Sequence, residues 1–294
     1  MSIFIVLGKH FLYAQAGSTG LAFLKLGVGA RALGMGEAYT AIASDPSATY
    51  YNPAALSLSK TSKILLMHKE WIQDTKTEFL AATTSHDRIT VGLSVNGTTI
   101  SDIELRTIPG PPQGTFSARN GAIGVSASYA FDSSLSLGAT GKYLYEKILI
   151  DEASGFGFDV GALYTTPWDI RIGLAVNNVG SMNELRNEAS KLPQIVRFGA
   201  AYQSRIESID GTFTGAADII SFTNEQVTHV VVGAEVDYRH TFALRAGYQT
   251  SYNSKNISAG IGVHYGLFQL DYAFVPFKYD LGSTHTFSCS IELP

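Results

Sequence analysis

Ile123-Gly124-Val125-Ser126-Ala127-Ser128-Tyr129-Ala130-Phe131 is the stretch that decides how this chain is read. Side chains on an extended strand alternate between two faces. Ile123, Val125, Ala127, Tyr129 and Phe131 therefore share one face, and Gly124, Ser126, Ser128 and Ala130 share the other. Such a segment separates two different solvents. The pattern recurs downstream. Leu135, Leu137, Ala139, Tyr143 and Tyr145 oppose Ser134, Ser136, Thr140, Lys142 and Glu146, and Val230, Val232, Ala234, Val236 and Tyr238 oppose Gly233, Glu235, Asp237 and Arg239. From Lys63 to Leu293 there are roughly fourteen such segments, and an even-numbered antiparallel barrel spanning an outer membrane accounts for all of them.

Composition agrees. Of 294 residues 16% are charged and 11% aromatic, glycine numbers 29, and the net charge of -4 offers no nucleic-acid surface. The mean hydropathy is +0.10, as expected when half of each strand faces lipid and half a polar lumen. No run of about 18 apolar residues occurs, so a transmembrane helix is excluded. A barrel needs none, because every backbone group pairs with a neighbouring strand. Tyr or Phe often ends the apolar face, as at Tyr129, Tyr145, Tyr164, Tyr202, Tyr238, Tyr248 and Tyr265, where aromatic girdles meet the membrane interface. The opposite face carries Asp159, Arg171, Arg197, Glu235, Arg245 and Asp271, charges that pair across a narrow lumen. A soluble sandwich is the competing fold, with these charges on its solvent face.

Short turns at 85–88, 131–134, 166–169, 239–241 and 266–267 alternate with longer connections near 97–118, 147–154, 178–192, 223–228, 250–256 and 276–283, although the first hairpin, near 73–75, is short. Outer-membrane barrels have short periplasmic turns and long external loops. Residues 1–16 read as a signal peptide, with Ala14-Gln15-Ala16 as the small-x-small cleavage site, although Lys9-His10 interrupts the apolar core. This gives three parts: leader 1–16, an N-terminal hatch 17–62, and the barrel 63–294.

The hatch segment shows no period-two alternation. Its glycines, Gly27, Gly29, Gly34 and Gly36, suit close backbone packing. Pro46 and Pro53 punctuate turns, and Asn52 can cap the local backbone. Arg31, Glu37 and Asp45 are candidates for ion pairs with lumen charges such as Asp159, Glu235 or Arg245.

The run Leu26 to Ala41 (LGVGARALGMGEAYTA), followed by Asp45-Pro46 through Asn52-Pro53-Ala54, resembles the opening of the PorV/PorQ family and, more widely, the FadL-like group of outer-membrane barrels. The match covers about forty residues by sequence count. What the resemblance implies is a fourteen-stranded barrel with a hatch folded into its lumen, serving type IX protein secretion as a cargo shuttle or as part of a surface attachment complex. Translocon or attachment-complex proteins and secreted cargo would then be its partners, along with outer-membrane lipid. External loops 97–118 and 178–192 would dock them. The residues Arg31, Gly34, Gly36, Glu37, Asp45, Pro46, Asn52 and Pro53 would serve structure or gating.

Catalytic chemistry has no anchor in the sequence. Gly27-x-Gly29 matches neither the dinucleotide nor the phosphate-loop fingerprint, and no Gly-x-Ser-x-Gly elbow occurs. The seven histidines lack ligand spacing and Cys289 stands alone, so no cofactor or metal is expected. The alternative function is FadL-like passage of hydrophobic small molecules. That reading needs an apolar pocket between hatch and barrel, for which Leu21, Phe23, Leu24, Leu26, Leu33 and Met35 are the candidates. A charged inner face argues against a wholly greasy route.

Overall fold

The computed structural model describes residues 19–72, 74–185, 188–252 and 254–293, so the expected leader lies outside the described residues. Among the described residues sixteen strands follow the N-terminal segment: β1 (Ser62–Glu70), β2 (Thr75–His86), β3 (Ile89–Leu105), β4 (Gly114–Ala130), β5 (Leu135–Ile148), β6 (Asp151–Thr165), β7 (Ile170–Met182), β8 (Glu184–Leu185), β9 (Glu188–Ala189), β10 (Ile195–Ile206), β11 (Gly211–Phe222), β12 (Val227–Tyr238), β13 (Phe242–Gln249), β14 (Ile257–Tyr265), β15 (Phe268–Pro276) and β16 (Ser283–Leu293). Fourteen of them form one closed barrel, in sequence order with β7 beside β10, while β8 and β9 make a separate two-stranded sheet. Closure joins β1 to β16 antiparallel, from Ser62 opposite Leu293 to Glu70 opposite His285. No edge is left open, which is what allows a sheet to sit in hydrocarbon.

The alternation read from the sequence is the alternation of the wall. Val125 is 61% exposed and the next residue, Ser126, 1%. Ile123, Phe158, Leu244 and Phe287 point outward on their strands, while Thr140, Asp159, Arg197, Glu235, Arg245 and Asp271 are buried in the lumen. Arg171 is half-buried. Period-two alternation over a closed sheet puts an apolar band outside and polar groups inside.

The connections differ from expectation in one respect. The segments 97–118 and 147–154, expected as loops, are largely strand: β3 and β4 run on to Leu105 and from Gly114, and β5 and β6 leave a two-residue turn at 149–150. An antiparallel ribbon continues past the band because its backbone pairing needs no apolar face. The Pro-rich tip, residues 106–113, remains non-strand. The end bearing these overhangs and the longer connections corresponds to the outer end of outer-membrane barrels.

Inside the barrel lies the N-terminal segment, built of short helical turns: Ala22–Lys25, Ala30–Gly34, Ala48–Tyr51 and Pro53–Leu58. Its side chains form the core. Val28, Met35, Tyr39, Tyr51 and Leu56 are almost wholly buried and pack against Leu65, Phe79, Leu163 and Ile220 of the wall. The chain enters from the outer end, where Gly20 N–H donates to the Lys191 carbonyl at 3.0 Å. It leaves into β1 at the inner end. A short segment of this kind has too little periodicity and length to be stable alone, and the wall supplies its packing.

Candidate functional site

Two contact zones seat the hatch. The first involves Asn52-Pro53-Ala54. The Asn52 side chain accepts from Ala54 N–H at 3.1 Å, capping the turn that Pro53 opens, and its amide donates to the carbonyls of Thr40 at 3.0 Å and Ala162 at 3.1 Å. One side chain thus ties two hatch turns to β6. Gly138 and Gly161 make the approach possible. A Cβ on Gly138 would sit 2.4 Å from the Pro53 carbonyl carbon, and one on Gly161 would sit 2.0 Å from Asn52 Oδ1. Asp218, on β11, holds the neighbouring turn by accepting from Tyr39 N–H, Thr40 N–H and Thr40 Oγ1–H at 3.0, 2.9 and 2.6 Å.

The second zone is ionic. Arg31 donates to Glu235 from Nε at 2.8 Å and from Nη2 at 2.6 Å, a bidentate pair. Glu235 also accepts from Arg245 Nε at 2.6 Å, and Arg245 Nη1 donates to Asp271 at 2.7 Å. A chain of alternating charge therefore links the hatch to β12, β13 and β15. Glu37 pairs instead with Lys255 at 3.3 Å, a residue of the β13–β14 connection. Burial alone would push the Glu37 carboxyl up, but Lys255, Arg197 and Lys69 together hold it below the usual carboxylate range. Asp45 stays within the hatch, accepting from the Tyr39 hydroxyl and from Ser47 N–H. Pro46 lies in the same turn, its carbonyl accepting from Thr49 Oγ1–H at 2.9 Å. Gly34 and Gly36 abut Gly260 and Gly247 of the wall.

The remaining lumen charges find other partners. Asp159 sits where the β6–β7 register shifts, accepting from Asn178 N–H at 2.7 Å and pairing with Lys142 at 2.7 Å. Arg197 lies over the rings of Tyr50 and Tyr51, with centroid distances of 5.8 and 5.1 Å. Arg171 donates to Gln203 at 3.3 Å near the inner end. The sequence offered no signal for Asp218, Lys69 or Lys255 as hatch partners. Lys69 Nζ donates to the Gly27 carbonyl at 2.8 Å, a contact set by the register of β1 and not by any local motif.

Above the hatch, at the outer mouth, is a cavity of about 380 Å³. Phe23, Leu26, Trp71, Phe222, Tyr252 and Phe277 give it aromatic and aliphatic walls. Trp71 meets Phe277 edge-on at 6.3 Å, and His229 stacks on Tyr252 at 3.6 Å with 4° between the planes. Lys25, paired with Glu225 at 2.6 Å, and Lys255 stand at its margin. Of the six apolar hatch residues expected to line a pocket, Phe23 and Leu26 do so. Leu21 and Leu24 pack with Leu144, Met182 and Leu192, while Met35 and Leu33 lie in clusters deeper in the hatch. Met182 and Leu185, expected on an outward docking loop, face inward against this hatch cluster instead, because burying them there removes apolar surface from water.

Below the hatch the lumen opens into a smaller polar space of about 170 Å³, lined by Arg31, Glu235, Asp237, Arg245 and His264 among others. Among the described residues no group of three or more His, Cys, Asp or Glu could hold a metal ion.

The toluene transporter TodX of Pseudomonas putida superposes on this hatch-filled barrel with a TM-score of 0.64 at 12% identity, covering 90% of this chain and 97% of that one. The fold is that of the FadL-like outer-membrane barrels. The Ralstonia pickettii toluene transporter TbuX gives 0.57 at 14% identity, and a Pseudomonas aeruginosa FadL homologue 0.55 at 12%, with 90% of this chain and 97% of each neighbour covered. Residues 13–157 match the model of an uncharacterised protein family, UPF0164. No curated protein matches the chain. Identities this low show the fold alone.

Proposed function

We propose that this barrel passes apolar small molecules across the outer membrane, taking them from outside into the aromatic cavity above the hatch. One observation carries the reading: a cavity of about 380 Å³ walled by Phe23, Leu26, Trp71, Phe222, Tyr252 and Phe277 at the hatch–wall junction. Its volume lies in the range of small-molecule sites, about 300–1,000 Å³, and its lining is mostly apolar with a few charged groups at the margin. Neighbours named as toluene transporters share the fold and add support. Small-molecule passage, the alternative in the sequence, thus becomes the main reading.

The test is uptake of labelled toluene by cells producing the barrel, against cells producing Trp71→Ala. Burying an aromatic wall against a ligand contributes about 1.5–3 kcal/mol, so losing it weakens capture by roughly ten-fold or more. Equal uptake with and without the barrel would sink the reading.

The secretion reading rests on the resemblance of Leu26–Ala41 and Asp45–Ala54 to the PorV/PorQ opening. It would bring translocon or attachment-complex proteins and cargo as partners. Co-purification of such proteins from solubilised outer membranes is its test. A barrel recovered without them favours the small-molecule role.

A further inference from the structure

The outward face of the barrel carries a second concavity. It is a groove of about 600 Å³ across β3, β2, β1, β16 and β15. Its sides are Leu66, Leu80, Val95, Leu270 and Phe287, all outward-facing and well exposed. Its depth comes from two small residues set among large ones. Cys289 lies opposite Leu66 on one side and Leu270 on the other, and Gly97 lies opposite Glu78. A Cβ built on Gly97 meets nothing within 4 Å, so the space there is open.

The groove's outer edge is polar. His68 Nδ1 lies 2.6 Å from Glu78 Oε1, and His68 Nε2 lies 3.6 Å from Glu70 Oε1. Both carboxylates stay more than half exposed, at 63% and 62%. Lys76 stands opposite Glu70 in the ladder, so the edge holds two acids against one lysine and an imidazole. Ionisable side chains on the lipid side of a barrel are costly near mid-membrane and tolerated at its rim. These lie toward the outer end of β1 and β2, where apolar positions give way to polar ones.

We propose that this groove binds one membrane lipid, with an acyl chain along Leu66, Leu80, Leu270 and Phe287 and an ammonium headgroup on Glu78 and Glu70. The groove lies in the apolar band, so what fills it comes from the membrane. Its concave form suits a chain better than the broad face of another barrel. The surplus of carboxylate at the edge selects a cationic over an anionic headgroup through a charge-assisted hydrogen bond.

The test is native mass spectrometry of the barrel released from nanodiscs containing equal amounts of phosphatidylethanolamine and phosphatidylglycerol with matched chains. One phosphatidylethanolamine should persist on the protein, enriched about ten-fold, the ratio that one such hydrogen bond supports. The double variant Glu70→Gln, Glu78→Gln should retain lipid without that preference. Gly97→Phe, which fills the groove, should lose the bound lipid. Gly141→Phe, on the outward face of β5, should keep it. If Gly97→Phe fails to give a heat-modifiable barrel, Cys289→Trp serves in its place. Equal retention of both lipids by the unaltered protein, or lipid that survives groove filling, overturns the proposal. A dimer that groove filling abolishes also overturns it and assigns the groove to a second copy.

Discussion

The two ends of the lumen are chemical opposites. At the outer mouth Phe23, Trp71, Tyr252 and Phe277 make an aromatic cavity, with charges kept to its margin. At the inner side Arg31, Glu235, Arg245 and Asp271 form a continuous chain of ion pairs. The outer site can hold an apolar molecule without covalent chemistry or a cofactor. The inner chain cannot, but through Arg31 and Glu235 it ties the hatch to the wall. On the proposed passage role, capture and closure would fall to different residues, and the second set would have to yield after the first is filled.

Breaking the inner chain should have the largest effect. Arg245→Met leaves Glu235 and Asp271 buried without the guanidinium between them, and removing one partner of a buried pair costs about 3–5 kcal/mol. Heat-modifiability on gels should show an unfolding transition at clearly lower temperature, with the aromatic cavity still able to bind. An unchanged transition would mean the chain of charge does not hold the hatch.

Next comes the seat of Asn52. Gly161→Val places a side chain where Asn52 Oδ1 now lies 2.0 Å from the Cβ position, and overpacking of this kind costs about 1–3 kcal/mol. The expected readout is raised conductance in planar bilayers as the hatch shifts. A silent barrel would place the tie elsewhere.

A smaller effect is expected at Glu37. Glu37, beneath the outer cavity, has its carboxyl lowered on folding, so it binds protons more weakly in the native state than in the unfolded one. Its contribution is present above the unfolded carboxylate value, about 4.3, and is lost as pH falls through the folded value. Thermal stability of the unaltered protein should decline more between about pH 5 and pH 3 than that of Glu37→Gln. Parallel curves would remove Glu37 from the closure.

The smallest effect is expected at the outer rim. Lys147 and Glu152 form an exposed pair, and exposed pairs contribute little. Lys147→Ala should leave the transition and uptake unchanged. A marked loss would show that the rim couples to the hatch.

Much of the fold is legible in the chain. Alternation such as Ile123 to Phe131 needs no partner to be read, because lipid and lumen impose period two on every strand. The lumen charges Asp159, Glu235, Arg245 and Asp271 follow from the same parity. Their pairing does not. Arg31 meets Glu235 across 204 residues and Glu37 meets Lys255 across 218, distances over which the register of fourteen strands, and not local sequence, decides what is adjacent. The overhanging strands escape a sequence reading because beyond the membrane both faces meet water and alternation ceases to be required.

While closure of the wall through β1 and β16 is seen only in the folded chain, the amino-acid order alone specifies strands with one apolar and one polar face, and marks Asn52-Pro53-Ala54 as a turn with a cap. Those are local consequences of side-chain parity and backbone donors. Tertiary structure alone decided which hatch residues line the outer cavity, that Met182 and Leu185 turn inward, and which charges close the inner end. Each depends on how a non-periodic segment nests inside a barrel, where the wall and not the segment supplies the packing.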